Sequence, residues 1–285
     1  MLEQGIAHAN RALGVDPENP SALEWRGRLR YTLAQHSDAE EAQELLRLAE
    51  ADLRAAVRRD TERPHAWWAL SRIMRYRGNF DGAYAFAMRA YRSDSFLDLT
   101  DQILRALMDN ALDQGRFHDA RHWVAEGRRI WPGDQGFIQR RLLILATLPQ
   151  PGPADIHAAW ANVDTLVELG YTERRDEWRA YGQLLTAMAL AAASRADSAD
   201  HVVRRAWPAL RNASDRMQAA GYLFDAVVRY RLGQRDSAVA LLRSYVALVP
   251  SDAPALATET WFRELWDDPR YQALHSQPTE TRRVR

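Results

Sequence analysis

The sequence predicts an all-α protein of antiparallel helix pairs stacked side by side, and three observations carry that prediction. Apolar residues fall at three and four spacing through long segments, the period that gives a helix one buried face. Gly and Pro gather mainly at segment ends, and alternating β-branched runs are few. A helix-turn-helix pattern also recurs, and a period of roughly 20–50 residues implies units that bury their apolar faces only against neighbours.

Residues 1–20, MLEQGIAHANRALGVDPENP, read as one helix and its closing turn, with Leu2, Ile6 and Ala9 on an apolar face and Ala12 five residues before Pro17. This is the second half of a pair, so the chain is expected to be cut from a longer protein whose preceding helix covers that face. Residues 20–61 hold the next pair, with an insertion at 34–43. In 64–95, Trp67, Leu70, Ser71 and Met74 form one stripe, Gly78 ends it, and Ala83, Ala87 and Ala90 begin another. Ser71 and Ala83 are small enough for the helices to approach closely, while Trp67 and Phe80 fill the space beside them.

The same order returns in 101–134, with Leu104, Leu107, Met108 and Ala111, then Gly115, Phe117, Ala120, Val124, Gly127 and Pro132. Gly233, Ala238, Leu242, Tyr245 and Pro250 repeat the second-helix spacings. Between 135 and 218 the helical period persists but these residues are scarce. The predicted organisation is a better-matched array over 1–147, a Pro-rich break at 148–154, degenerate pairs over 155–252 ending in a clear second helix, and a capping helix with a basic tail over 253–285.

Composition narrows the chemistry. The 38 basic and 38 acidic residues cancel, so no overall field draws the chain to nucleic acid or an anionic membrane. With no cysteine there is no disulfide, thiolate nucleophile or Cys-ligated metal. With no lysine there is neither a phosphate-binding Gly-x-x-x-x-Gly-Lys loop nor a kinase nucleotide-clamping lysine. No apolar run reaches the roughly 18 residues of a membrane span, so no membrane insertion is expected. His118 and His122, four apart, are expected as an exposed pair on a second helix rather than a metal site. The Arg and Trp residues between Arg121 and Arg141 are expected to serve helix ends and apolar cover, with no nucleic-acid partner. Of the acidic pairs, Asp267 and Asp268 are expected at an N-capping turn before Pro269.

The large–small pairs, Gly turns, spaced Ala residues and closing Pro resemble the tetratricopeptide repeat (TPR), a helix-turn-helix of roughly 34 residues. The resemblance implies an α-solenoid coiled as a right-handed superhelix, and Thr61 and Ser95 depart from it by standing where a closing Pro is usual. The order of segments, and the ending Trp261, Leu265, Asp267, Asp268, Pro269, Arg270, Tyr271, Leu274, resemble the TPR region that follows the catalytic domain in some bacterial serine/threonine protein kinases and related multidomain regulators. The resemblance implies a non-catalytic scaffold for a protein or peptide partner. The same resemblance implies no cofactor, a cytoplasmic location unless a membrane span lies upstream, and an upstream kinase or effector domain in the same chain. A ligand-responsive sensor region of a transcriptional regulator is the alternative, and an α-helical enzyme would need an enclosed polar pocket in 135–218. In TPR arrays the first helix of each pair lines the concave groove. Carried over, this selects Glu24, Arg28 and Tyr31, then His65, Trp68, Arg72, Arg75 and Tyr76, then Gln102, Arg105 and Asp109. Their aromatic and Arg character suits an acidic or extended peptide.

Overall fold

The computed structural model describes residues 1–94, 98–170 and 174–275. These form an all-α solenoid of fourteen α-helices and two 3₁₀ runs. Ser95 and the basic tail from 276 onward lie outside the described residues.

The chain divides into two compact units, Met1–Pro132 and Gly133–Arg285. The first holds α1 (Leu2–Val15), α2 (Pro20–Ala34), α3 (Ala39–Arg59), α4 (Pro64–Tyr76), α5 (Phe80–Ser93), α6 (Thr100–Asp113) and α7 (Phe117–Ile130). The second holds α8 (Gln135–Thr147), α9 (Pro153–Leu169), α10 (Arg175–Ala192), α11 (Ala196–Leu210), α12 (Asp215–Arg231), α13 (Arg235–Leu248), the 3₁₀ runs Pro250–Thr258 and Thr260–Leu265, and α14 (Pro269–His275). The division does not fall at 148–154, where the sequence reading put a break. That stretch only joins α8 to α9, both of which pack on α10. Its Pro and Gly start a helix: Pro153 opens α9, and the Gly152 N–H donates to Asp155 Oδ2 at 3.0 Å.

One turn recurs in both units. Gly78, Gly115 and Gly233 sit at φ of +73°, +69° and +76°, the left-handed region that ends a helix without a side-chain clash. The next N–H reaches back five residues each time: Asn79 to Met74 O, Arg116 to Ala111 O, Gln234 to Arg229 O. Five residues beyond each Gly an alanine, Ala83, Ala120 or Ala238, is fully buried against the first helix. Ser194, at φ +59°, makes the same turn between α10 and α11, with Arg195 N–H on Leu190 O and Ala199 fully buried. A repeat is therefore present where the sequence showed few signature residues.

The helix ends are equally regular. Asp16, Trp131 and Val249 precede Pro17, Pro132 and Pro250, and all three leave the helical region, at ψ of 95°, 76° and 70°, and donate to the carbonyl four residues back. Asp60, before Thr61, does the same without a proline. The insertion at 34–43 becomes a short loop and the start of α3, whose N-terminus Asp38 caps through the Glu40 and Glu41 N–H groups.

In the first unit Trp67, Leu70, Ser71 and Met74 are buried as expected. Ser71 does more than stay small: its hydroxyl donates to Ala83 O at 2.7 Å and accepts from Asn110 Nδ2 at 3.3 Å, linking α4, α5 and α6. On α1, Ala9 and Leu13 are buried, and Leu2 and Ile6 half-buried. The terminal cap is not a single helix, because Pro250, Pro254 and Pro269 interrupt it. It still closes a core around Phe262, Leu265, Tyr271 and Leu274, with the Tyr271 hydroxyl donating to Leu256 O at 2.7 Å. Asp268 caps α14 through the Arg270 N–H as expected, and its carboxyl is held down at about 2 by hydrogen bonds from Arg270.

Candidate functional site

In the first unit the first helices α2, α4 and α6 lie side by side, and a cleft of about 380 Å³ opens between them. The orientation of α2 is fixed from behind. Asp52 of α3 is buried and accepts from Arg26 Nε at 2.8 Å, Arg26 Nη2 at 2.7 Å and Arg30 Nη1, which turns Arg26 and Arg30 toward α3. Helical geometry then puts Arg28, Tyr31, Thr32 and Gln35 on the opposite side, roughly 200° around from Arg26. All four line the cleft.

From α4 come His65, Trp68 and Ala69, and from the start of α6 come Asp98, Leu99 and Gln102. The buried carboxylate of Asp94 holds that last segment, accepting from the Leu99 N–H at 3.2 Å and the Thr100 hydroxyl at 2.7 Å. The adjacent Trp67 turns inward, stacking on Phe86 at 5.6 Å and donating its Nε1–H to Thr61 O, which leaves Trp68 facing the cleft.

The cleft thus brings together Arg28, Tyr31, His65, Trp68 and Gln102 of the eleven residues the repeat pattern selects. Arg72 stands beside it: Nε donates to the Tyr31 hydroxyl at 3.3 Å, and the guanidinium lies 6.0 Å from the Trp68 ring centre. Arg75 is directed to Asp113, donating at 2.7 Å, and Asp109 adds a favourable field there. Arg105 lies 3.8 Å from Asp101. Two selections lie away from the cleft lining. Glu24 is buried and accepts from Arg63 Nη1 at 3.1 Å, so it supports the cleft from beneath. Tyr76, 67% exposed, lines a separate cleft with Glu40, Gln43, Glu44 and Leu46, because eight residues along a helix leave it about 80° around from Trp68.

Thr32, Gln35, Asp98 and Leu99 were not selected from sequence. Thr32 and Gln35 share the Arg28 stripe at four and seven spacing, a signal that was present. Asp98 and Leu99 precede α6, where no periodicity marks them.

Burial pushes the His65 imidazole below its ordinary value, and the Arg28 charge lowers it further; Glu24, Asp94 and Asp98 oppose this more weakly. His65 is therefore neutral near pH 7. The Thr32 hydroxyl is engaged with Arg28 O at 3.0 Å. The lining can hydrogen-bond, stack and exclude water, which are the operations of recognition.

Other candidates fall outside this cleft. His118 is 98% exposed at its side chain and sits 3.4 Å from Asp119, while His122 lies edge-on to Trp123. Trp123 is buried and donates to the Tyr84 hydroxyl, so its ring is core. Among the described residues no helix is long and apolar enough to cross a membrane.

No family model matches the chain, and no curated protein matches it. Solved structures of TPR proteins do match. The chain is similar to one in the crystal structure of the APC/C hetero-tetramer Cut9-Hcn1, at 13% identity and a TM-score of 0.53, over 97% of this chain and 46% of that one. It is also similar to yeast Tom70, at 13% identity and a TM-score of 0.44, over 97% of this chain and 62% of that one. A third, Naa15/Naa10 bound to HypK-THB, gives 16% identity and a TM-score of 0.42, over 90% of this chain and 36% of that one. The chain spans less than two thirds of the length of each. The first of these likenesses supports an α-solenoid fold of TPR type for this chain.

Proposed function

We propose that the chain is a non-catalytic scaffold whose first unit binds a protein partner by an extended segment laid in the cleft between α2, α4 and α6. The observation that carries this reading is convergence: Arg28, Tyr31, His65, Trp68 and Gln102, from three helices well apart in sequence, meet in one concave opening. Clefts with an apolar floor and a few placed polar groups are where ligands bind by default. The wider setting of this reading is the regulatory or sensor region of a multidomain signalling protein, such as a bacterial serine/threonine kinase, in the cytoplasm. The order of segments and the closing Trp261 to Leu274 pattern support it.

The test is retention of partners by the immobilised protein. Trp68→Ala with Arg28→Gln should remove the proteins that the parent retains, whereas Tyr76→Ala should not. An unchanged set on the double variant would show that the cleft is not the partner site.

A further inference from the structure

We infer that the cleft of the first unit reads an extended, uncharged, proline-rich segment rather than an acidic one; the inference rests on the cleft being the partner site. Charge points this way first. The lining carries one cation, Arg28, and one anion, Asp98. The Arg28 guanidinium already lies 4.7 Å over the Trp25 ring and 3.5 Å from Glu24. The neighbouring Arg72 and Arg75 are directed to Tyr31 and Asp113. A carboxylate entering the cleft therefore meets Arg28, which already lies against Trp25 and Glu24, and an Asp98 that repels it, while Arg75 is paired with Asp113 and Arg72, beside the cleft, donates to the neutral Tyr31 hydroxyl. A surface selecting acidic segments would carry more positive charge in the lining itself, unopposed by a carboxylate.

The polar groups that face the opening include several donors beside the acceptors of Asp98, Thr32 and the two glutamine amides. Within the described residues the side chains of Gln35, Trp68 and Gln102 make no hydrogen bond to the protein, so the indole N–H and both amide groups stay open to a ligand. Tyr31 accepts from Arg72, which leaves its own proton to give. Around these donors lie the flat faces of Tyr31, His65 and Trp68, with Leu99 and Ala69. A polyproline II segment complements this arrangement. It has no internal hydrogen bonds and no N–H at proline, presents its carbonyls outward, and offers pyrrolidine rings to stack on aromatic faces. Its backbone is already ordered, so less conformational entropy is lost on binding.

The experiment titrates the whole chain with three blocked, labelled ten-residue peptides, all-proline, all-glutamate and alternating Gly-Ser, read by fluorescence anisotropy. It compares the parent with Trp68→Ala, Gln102→Ala and Tyr76→Ala. The all-proline peptide is expected to bind about tenfold more tightly than either other peptide. Its affinity should change less than about twofold between roughly 0.05 and 0.5 M salt, where charge-selected binding would fall steeply. Trp68→Ala should weaken it about tenfold and the surface change Gln102→Ala less, with Tyr76→Ala neutral. Tightest binding of all-glutamate with a steep salt dependence, parity with Gly-Ser, or no binding of the all-proline peptide would overturn the inference. Glutamate binding lost in Trp68→Ala would keep the cleft and refute only its preference. Proline binding unaffected by Trp68→Ala would refute the cleft itself.

Discussion

In the first unit α4 buries one side, Ala66, Trp67, Leu70, Ile73 and Met74, and leaves His65, Trp68, Arg72 and Arg75 partly open beside α2 and α6. In the second unit the central first helix, α10, is buried at every position from Gly182 to Ala191. Its neighbours are α8, α9, α11 and α12, and Arg231 of α12 donates to both Ala146 O and Met188 O, near the C-terminal ends of α8 and α10. A helix enclosed all round needs apolar residues all round, which is why LLTAMALAA lacks the polar stripe of PHAWWALSRIMRY. The same pairwise architecture thus yields an open face in one unit and a closed core in the other.

This contrast gives predictions of decreasing size. Arg231→Met removes the cation that bridges two helix ends and should cost about 1.5–3 kcal/mol in urea denaturation, while peptide binding at the cleft of the first unit stays unchanged. Loss of that binding would mean the open face depends on the closed core. Gly78→Ala forces a side chain into the left-handed turn of the first unit and should cost about 1–2 kcal/mol. Ser194→Gly at the equivalent turn of the second unit should stabilise by about 0.5–1 kcal/mol. The same sign at both sites would show that the two turns are not equivalent.

The smallest expected effect is in pH. His65 has a folded value below its ordinary 6.5, so the unfolded chain binds the proton more readily. Its contribution is fully present above about pH 6.5 and is lost as pH falls through the lower folded value. The urea midpoint should decline slightly below pH 6.5, and His65→Gln should flatten that part of the profile.

The fold was legible in the sequence because Gly and Ala mark steric necessities, a left-handed turn and a close helix contact. Ser194 shows the limit: the turn tolerates serine, so the repeat at 175–210 kept its Ala199 and lost its most visible mark. At 148–154, where a break is expected, Gly152 and Pro153 start α9, because Pro and Gly begin helices as readily as they separate units. Of the residues carried over from the repeat resemblance, Arg28, Tyr31, His65, Trp68 and Gln102 line one cleft. Tyr76 lies in a separate cleft, since a helix of thirteen residues carries its end around from Trp68, and Glu24 is buried against Arg63, which lies beyond an intervening helix. Helical spacing reports which residues share a face, whereas ion pairs made across elements leave no periodic trace.

The central claim is that recognition belongs to the open face of the first unit. Hydroxyl-radical footprinting of the chain with and without a retained partner tests it most directly. Tyr31, His65 and Trp68 should lose reactivity on binding, while Trp178 and Trp261 of the second unit should keep theirs. Protection of Trp178 and Trp261 with Trp68 unchanged would contradict the account.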